Sequence, residues 1–220
     1  MTGPASHGDI LLAGASGLVG GLLAKRLAPA RLVCIGRRTM PGLPEGVRQI
    51  VADPKDWAHE IARLNPAIAI SVLGTTIRNA GSQAGFFAID HDLVLNLARA
   101  SREAGACQFL MVSSVGAAAD SRNFYLSTKG KAEAAVCGLG YDRVDILRPG
   151  LLRGDRQERR PGERIAIALS PLTDLLTPRA LDKYRSIAAV DVAGALAALC
   201  GAEAAGLFIH HNREMSGGIS

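Results

Sequence analysis

The chain has 220 residues, of which 48% are hydrophobic and 20% are charged, a balance typical of a packed globular protein rather than a disordered one. No apolar stretch reaches the roughly 18 to 20 residues that a membrane-spanning helix needs. The first eight residues lack the basic and apolar regions of a secretion signal. The formal charge of +5 comes from arginine rather than lysine.

Aliphatic runs alternate with helical patterns through the first two thirds of the chain. Strands are predicted at 10–13, 31–36, 47–52, 67–74, 108–113 and 143–147. Helices are predicted at 18–27, 57–64, 86–104 and 124–136. The strands do not alternate between apolar and polar residues, as is typical of a parallel sheet that is covered on both faces. The pattern predicts an α/β fold, a Rossmann doubly wound parallel sheet of six or seven strands with helices on both faces.

The regular alternation ends after Pro149. Helices are predicted at 164–169, 172–176 and 190–199, and a final strand at 206–210. No linker separates a second domain, so we expect a flexible N-terminus over 1–8 and a single domain over 9–215. Residues 150–185 are expected to form an elaboration on the substrate side of the sheet.

Six arginines cluster near the start of this elaboration. They are Arg148, Arg153, Arg156, Arg159, Arg160 and Arg164. Because no aromatic residues are interleaved and no nucleic-acid motif is present, we expect no nucleic-acid partner. The cluster is interpreted as a solvated face or as a pocket for a phosphorylated small molecule.

A glycine-rich loop, Gly14-Ala15-Ser16-Gly17-Leu18-Val19-Gly20, follows the first predicted strand and begins the first helix. A tight turn at that place points backbone N–H groups at a pyrophosphate, and larger side chains would block its approach. The spacing G-x-x-G-x-x-G differs from the general G-x-G-x-x-G fingerprint. The loop therefore predicts a dinucleotide site, and a purely structural turn is the alternative.

The second predicted strand ends in Gly36-Arg37-Arg38, where NAD-binding proteins usually place an acidic residue on the ribose. Two guanidinium groups suit a 2′-phosphate, so NADP(H) is predicted over NAD(H). Asp53, after the third strand, either accepts a hydrogen bond from adenine or caps the helix that follows. Leu73-Gly74-Thr75, after the fourth strand, would let a cofactor lie close to the backbone.

Ser113 and Ser114 end the fifth strand, and Tyr125 and Lys129 follow four residues apart. On a helix that spacing places Tyr125 and Lys129 on one face. A tyrosine can donate a proton to a carbonyl that receives hydride, an adjacent ammonium stabilises its anion, and a serine hydroxyl orients the carbonyl. Ser114, Tyr125 and Lys129 are the predicted catalytic residues, with Ser113 as the alternative serine.

Together these motifs resemble the short-chain dehydrogenase/reductase superfamily in its atypical or extended branch. Residues 73–76 (LGTT), Tyr125 to Gly130, 147–150 (LRPG) and 155–163 (DRQERRPGE) look like the oxidoreductase group typified by the HIV Tat-interactive protein. The resemblance implies that the cofactor NADPH is held by Ser16, Gly17, Leu18, Val19, Arg37, Gly74, Thr75, Tyr125, Lys129, Leu152 and Arg160. Ser114 lies 11 residues before Tyr125, closer than is usual in such enzymes. The resemblance implies no substrate.

The sequence thus predicts a cytoplasmic, NADPH-dependent oxidoreductase that transfers hydride to or from a carbonyl or hydroxyl substrate. The alternative is an NADPH-binding regulatory or interaction protein with little turnover. A sugar-nucleotide epimerase would share the catalytic residues, although the chain is short for one. The substrate, the direction of the reaction and the oligomeric state are left open.

Several other residues suggest weaker interpretations. The four cysteines, Cys34, Cys107, Cys137 and Cys200, are interpreted as reduced thiols in or near the core. No metal is expected, because the adjacent His210 and His211 have no carboxylate or cysteine at ligand spacing. Asp90 and Asp92 flank His91 like a charge relay, and the alternative is that they stabilise the positive end of a helix.

Overall fold

The computed structural model describes residues 8–154 and 184–217. In these residues the strands are β1 (Ile10–Ala13), β2 (Leu32–Gly36), β3 (Arg48–Val51), β4 (Ile68–Ser71), β5 (Gln108–Val112), β6 (Arg143–Leu147), β7 (Leu152–Arg153), β8 (Ile187–Ala188) and β9 (Gly206–His210). Seven of them form one sheet in the order β3-β2-β1-β4-β5-β6-β9, and β7 pairs with β8 separately. Every pairing is parallel. The predicted doubly wound parallel sheet is confirmed.

The helices of the described residues are α1 (Leu18–Ala24), α2 (Trp57–Leu64), α3 (Ile77–Ala80), α4 (Gln83–Phe87), α5 (Val94–Glu103), α6 (Phe124–Cys137), α7 (Ala189–Leu199) and α8 (Asn212–Ser216). One π-helical turn, Ala88–Leu93, joins α4 to α5 and makes a continuous helical segment. No helix in the described parts of the chain is long and apolar enough to cross a membrane.

Both faces of the sheet are buried, which explains why the strands lack polar alternation. On β1, Leu12 belongs to the cluster that α1 and α7 cover, and Leu11 to the cluster that α2, α5 and α6 cover. Neither side chain is exposed to solvent. Each fully buried leucine of this kind contributes about 1.5 to 3 kcal/mol to folding, so the aliphatic strands account for much of the stability.

Most element boundaries agree with the sequence patterns to within three residues. The predicted helices at 164–169 and 172–176 lie outside the described residues, as do Arg156, Arg159, Arg160 and Arg164. The short elements β7, β8, α3, α4 and α8 were not predicted, because each is too short to produce a period. The proposed domain limits of 9–215 stay a prediction.

The four cysteines are free, and their surroundings differ. Burial raises the pKa of the Cys34 and Cys200 thiols to about 11, which makes them poor nucleophiles. Cys137 is exposed at the end of α6, so its placement near the core was wrong. It lies on the solvent side of a helix whose opposite side packs on the sheet.

A buried polar network fastens β9 to the sheet around the carboxylate of Asp145, which has no exposed surface. Arg143 donates to both its oxygens at 2.7 Å, the Gln108 amide donates at 2.8 Å, and His210 lies at 3.0 Å. Burial alone would raise the pKa of Asp145, but the hydrogen bonds with His210, Arg143 and Gln108 outweigh it and lower the pKa. The imidazole of His210 thus has a structural partner.

Replacing Asp145 by asparagine should destabilise the fold by about 3 to 5 kcal/mol, because Arg143 would lose its buried counter-charge. Asp142→Asn is the matched control. Its carboxylate is 64% exposed and lies 3.4 Å from Arg102, so the loss should stay below about 1 kcal/mol. The measurement is the free energy of unfolding in urea.

The pH dependence gives a second readout of the same residue. A carboxyl whose pKa is lowered by folding stabilises the fold above its unfolded value of about 3.9, and this contribution is lost as the pH falls. The unaltered protein should therefore lose stability below about pH 4, with a smaller loss in Asp145→Asn. Equal acid sensitivity in both proteins would contradict this role for Asp145.

Candidate functional site

The loop after β1 approaches the end of β4 so closely that only glycine fits at its first position. Gly14 has a φ of +97°, and a Cβ placed on it would lie 2.7 Å from the Val72 carbonyl. Its own carbonyl accepts the Gly17 N–H at 3.0 Å, closing the turn that begins α1. Ser16 and Gly17 are exposed at the tip of this loop. The backbone of the loop is therefore open to a ligand at the carboxyl edge of the sheet.

Gly20 holds α1 against the same loop. A Cβ on Gly20 would lie 2.2 Å from the Gly14 carbonyl oxygen, so no larger residue fits without moving the turn. Val19 is buried in the core, and Leu18 is half-buried against it. The third glycine of the motif thus sets the distance between helix and loop.

Arg37 and Arg38 are exposed after β2. Within the described residues neither makes an ion pair or a side-chain hydrogen bond, so both guanidinium groups are available to an anion. Asp53 accepts a hydrogen bond from the Lys55 N–H at 3.1 Å, which is the capping role considered for it. Its second oxygen remains available.

Two carboxylate contacts fix the segment after β4. Asp90 accepts a hydrogen bond from the Thr75 N–H at 2.9 Å, and its other oxygen lies 2.7 Å from the Lys129 ammonium. The Asp90 and Lys129 side chains are only 1% and 6% exposed. Gly74 is exposed and lies next to them: a Cβ there would lie 3.6 Å from Asp90 Oδ1 and 3.8 Å from Lys129 Nζ. A buried ion pair therefore underlies an exposed glycine, and Leu73 packs beneath it against the α2–α5–α6 cluster.

Neither role that the sequence suggested for Asp90 agrees with the structure. It does not stabilise a helix end, because the segment starts at Gln83, with Ser82 as its cap, and Asp90 lies inside the π-helical turn. It does not act as a relay with His91 either, since His91 pairs with Asp92 at 2.8 Å. Extra residues in a helical turn are a signal of functional sites that only the backbone reveals.

Tyr125 and Lys129 lie one turn apart on α6, as predicted. The ring of Tyr125 packs on the fully buried Phe86, with ring centroids 5.5 Å apart. Tyr125 is 36% exposed, and its hydroxyl makes no hydrogen bond within the described residues. Phe86 on α4 thus positions the ring, a role the sequence did not suggest.

The two serines after β5 differ in exposure. Ser113 is 5% exposed, and its hydroxyl has no partner among the described residues. Ser114 is half-buried and donates weakly to the Val115 carbonyl at 3.3 Å. Ser114 is therefore the more accessible of the two.

The segment after β6 returns to the glycine loop. Leu152 in β7 packs on the core that α1 and α7 cover, and a Cβ on Gly154 would lie 2.9 Å from Leu18. An open cleft of about 410 Å³ adjoins it, with Arg153, Arg185 and Arg213 in its lining. Arg148 instead pairs with Glu133 on α6, and Arg160 lies outside the described residues. In the described parts of the chain, no group of three or more potential ligands could hold a metal ion.

These features fit a dinucleotide. The glycine loop leaves backbone exposed between β1 and β4, where the strand order reverses and such ligands bind in open α/β sheets. The Lys129 ammonium lies 2.7 Å from Asp90 and makes no hydrogen bond to a described residue, so it has N–H donors left for a ligand. A ligand seated over Gly74 can supply those acceptors.

Comparison with known proteins agrees with this geometry. A family model described as the NAD dependent epimerase/dehydratase family matches residues 10–134. Two curated relatives are a mitochondrial protein named fmp52 from Emericella nidulans and a protein named HTATIP2 from Rattus norvegicus. The first is 38% identical over 169 residues, 72% of each chain. The second is 36% identical over 167 residues, which are 72% of this chain and 68% of the relative.

Solved structures share the fold at lower identity. MoeE5 in complex with UDP-glucose and NAD has a TM-score of 0.68 and 19% identity, over 94% of this chain and 79% of its own. The human epimerase family protein SDR39U1 with NADPH has a TM-score of 0.62 and 18% identity, over 92% and 74%. The resemblance to the extended short-chain dehydrogenases/reductases is confirmed.

One sequence-based expectation is contradicted by the same comparison. The chain was expected to be cytoplasmic, whereas relatives such as those of Emericella nidulans and Coccidioides immitis are named as mitochondrial proteins. Composition does not distinguish these two compartments, which is why that expectation was wrong.

Gly20→Ala should open the glycine loop, because the added methyl group overlaps the Gly14 carbonyl. Gly21→Ala is the matched control: its Cβ would lie 3.5 Å from the Ala15 oxygen, an ordinary contact. We expect a loss of about 1 to 3 kcal/mol for Gly20→Ala and a neutral or slightly stabilising effect for Gly21→Ala. Thermal unfolding of both variants measures this. Equal tolerance of the two would show that the loop does not depend on the close contact.

Proposed function

The chain belongs to the NAD dependent epimerase/dehydratase family, and from that premise we propose that it is an NADPH-dependent oxidoreductase acting on a carbonyl or hydroxyl substrate. The observation that carries the proposal is the exposed Gly74 over the buried Asp90–Lys129 pair, with Tyr125 one turn away on α6. The family accounts for the cofactor fold, and these side chains supply what a proton transfer needs.

The proposed cofactor contacts lie along the carboxyl edge of the sheet. Backbone N–H groups of the loop from Gly14 to Val19 would hold the pyrophosphate, because no side chain covers the exposed Ser16 and Gly17. Arg37 and Arg38 would hold a 2′-phosphate, and the free oxygen of Asp53 would accept from adenine. Gly74, Thr75 and Lys129 would hold the nicotinamide ribose, with Leu152 beside them. Arg160 is carried over from the resemblance alone.

In the proposed reaction the chain's residues handle the proton and the carbonyl oxygen. The bound cofactor supplies or accepts the hydride. The Tyr125 hydroxyl donates its proton to the substrate oxygen, and the Lys129 ammonium stabilises the phenolate that remains. The Ser114 hydroxyl, the more exposed of the two serines, donates a hydrogen bond to the same oxygen, with Ser113 as the alternative donor.

The choice of NADPH over NADH rests on the two exposed guanidinium groups. Arg37→Ala should weaken NADPH binding roughly tenfold or more, since a charge-assisted hydrogen bond contributes about 1.5 to 3 kcal/mol. NADH binding should change less than about twofold, because NADH lacks the 2′-phosphate. Titration followed by nicotinamide fluorescence gives both constants, and Arg99→Ala, an exposed arginine on α5, is the control for lost charge. Equal or tighter binding of NADH by the unaltered protein would rule out the preference.

Tyr125→Phe tests the catalytic role. The phenylalanine keeps the contact with Phe86 and removes only the hydroxyl, so NADPH affinity should stay within about twofold. Turnover in a screen of carbonyl substrates should fall by a factor of about 100 or more. The control is Tyr184→Phe, the other exposed tyrosine of the described residues. Unchanged turnover would remove Tyr125 as the acid, and tight NADPH binding without turnover in the unaltered protein would favour the regulatory alternative.

A further inference from the structure

We propose that the carboxylate of Asp90 balances the charge of Lys129 beneath Gly74 and thereby sets the relative affinity of the site for oxidised and reduced cofactor. The inference rests on the proposed function, because it needs a nicotinamide cofactor over Gly74. It goes further by assigning to Asp90 a role in the redox preference of the site.

The first argument is the depth and isolation of the pair. Asp90 and Lys129 are 1% and 6% exposed, and their charged atoms are 2.7 Å apart. Among the described residues, Oδ1 of Asp90 makes no hydrogen bond, so the ion pair with the Lys129 ammonium is its close polar contact. Two charges of opposite sign so placed leave no net charge at this point of the site, where water screens little.

The second argument is the position of the pair under exposed backbone. The distances of 3.6 Å and 3.8 Å from an ideal Gly74 Cβ place both charged atoms within a side chain's contact distance of this exposed glycine. A ligand seated on that glycine would therefore feel the sum of the two charges. The other charged groups nearby do not disturb this balance: His91 is paired with Asp92 on the exposed side of the segment, and Glu133 of α6 is paired with Arg148.

The third argument is the backbone that puts Asp90 there. The π-helical turn Ala88–Leu93 carries Asp90 inward, and the Thr75 N–H fixes the second carboxylate oxygen at 2.9 Å. One side chain thus joins the segment after β4 to α6. The nicotinamide ring carries a positive charge when oxidised and none when reduced, so the net charge beneath it discriminates between the two forms.

The test is the ratio of the dissociation constants of NADP⁺ and NADPH, measured by calorimetry without any substrate. Asp90→Asn keeps an acceptor for Thr75 and leaves one uncompensated positive charge, so the ratio should rise roughly tenfold. Each tenfold change corresponds to about 30 mV in the potential of the bound cofactor. Lys129→Met leaves the opposite charge and should lower the ratio. The double variant has no net charge and should return the ratio to within about twofold of the unaltered protein.

Asp92→Asn is the matched control, because it removes the same charge from an exposed side chain two residues away. The ratio of the two dissociation constants should not change in this variant. If Asp90→Asn does not fold, Lys129→Met alone decides by the direction of its shift. The proposal would be overturned if Asp90→Asn and the double variant bound NADP⁺ and NADPH more weakly by the same factor. That result would show that Asp90 only positions Lys129 and Thr75. Absence of binding of either form by the unaltered protein would instead overturn the proposed function, and this inference with it.

Discussion

The chain leaves the neighbouring strands β1 and β4 in opposite directions, and the site depends on this divergence. After β1 it passes through α1 to β2, and after β4 it passes through α5 to β5 on the other side. Because such crossovers are right-handed, the two connections cover opposite faces of the sheet. The helices α1 and α5 indeed belong to different core clusters. A crevice must therefore open above β1 and β4, between Gly14 and Gly74, whatever side chains line it.

The side chains around that crevice come from elements that the divergence brings together. The loop after β1 supplies backbone, and the segment after β4 supplies Gly74 and Thr75. The helical segment Gln83–Glu103 returns beneath them with Asp90, and α6 adds Tyr125 and Lys129. Four separate stretches of chain thus meet at one edge. Within the segment, Phe86 supports the tyrosine ring and Asp90 holds the ammonium, so a single helix positions both candidate catalytic side chains.

The parallel sheet and the positions of most strands follow from local patterns. Aliphatic runs predict β1 to β6, and the glycine loop and the Tyr125–Lys129 spacing lie where the fold class expects them. The role of Asp90 could not be predicted, because a π-helical turn changes which face a residue occupies and leaves no mark on a 3.6-residue period. The partners of Asp145 were equally hidden, since Gln108 and His210 are far from it in sequence and adjacent only after β5, β6 and β9 pair. A sequence pattern within one helix or strand predicts that element. Contacts between elements can be assigned only when the pairing register of the strands is known.

Two of the buried carboxylates, Asp145 on β6 and Asp90 in the π-helical turn, show how a structural charge differs from one with a proposed function. Asp145 is surrounded by Arg143, Gln108 and His210, so every oxygen is bonded within the fold and nothing remains to offer a ligand. Asp90 has one N–H and one ammonium, and that ammonium keeps donors that no described residue uses. Burying an ion pair costs free energy that a better bonded or apolar pair would not. Stability alone therefore does not account for an incompletely bonded pair next to an exposed glycine, whereas the proposed cofactor would complete those bonds.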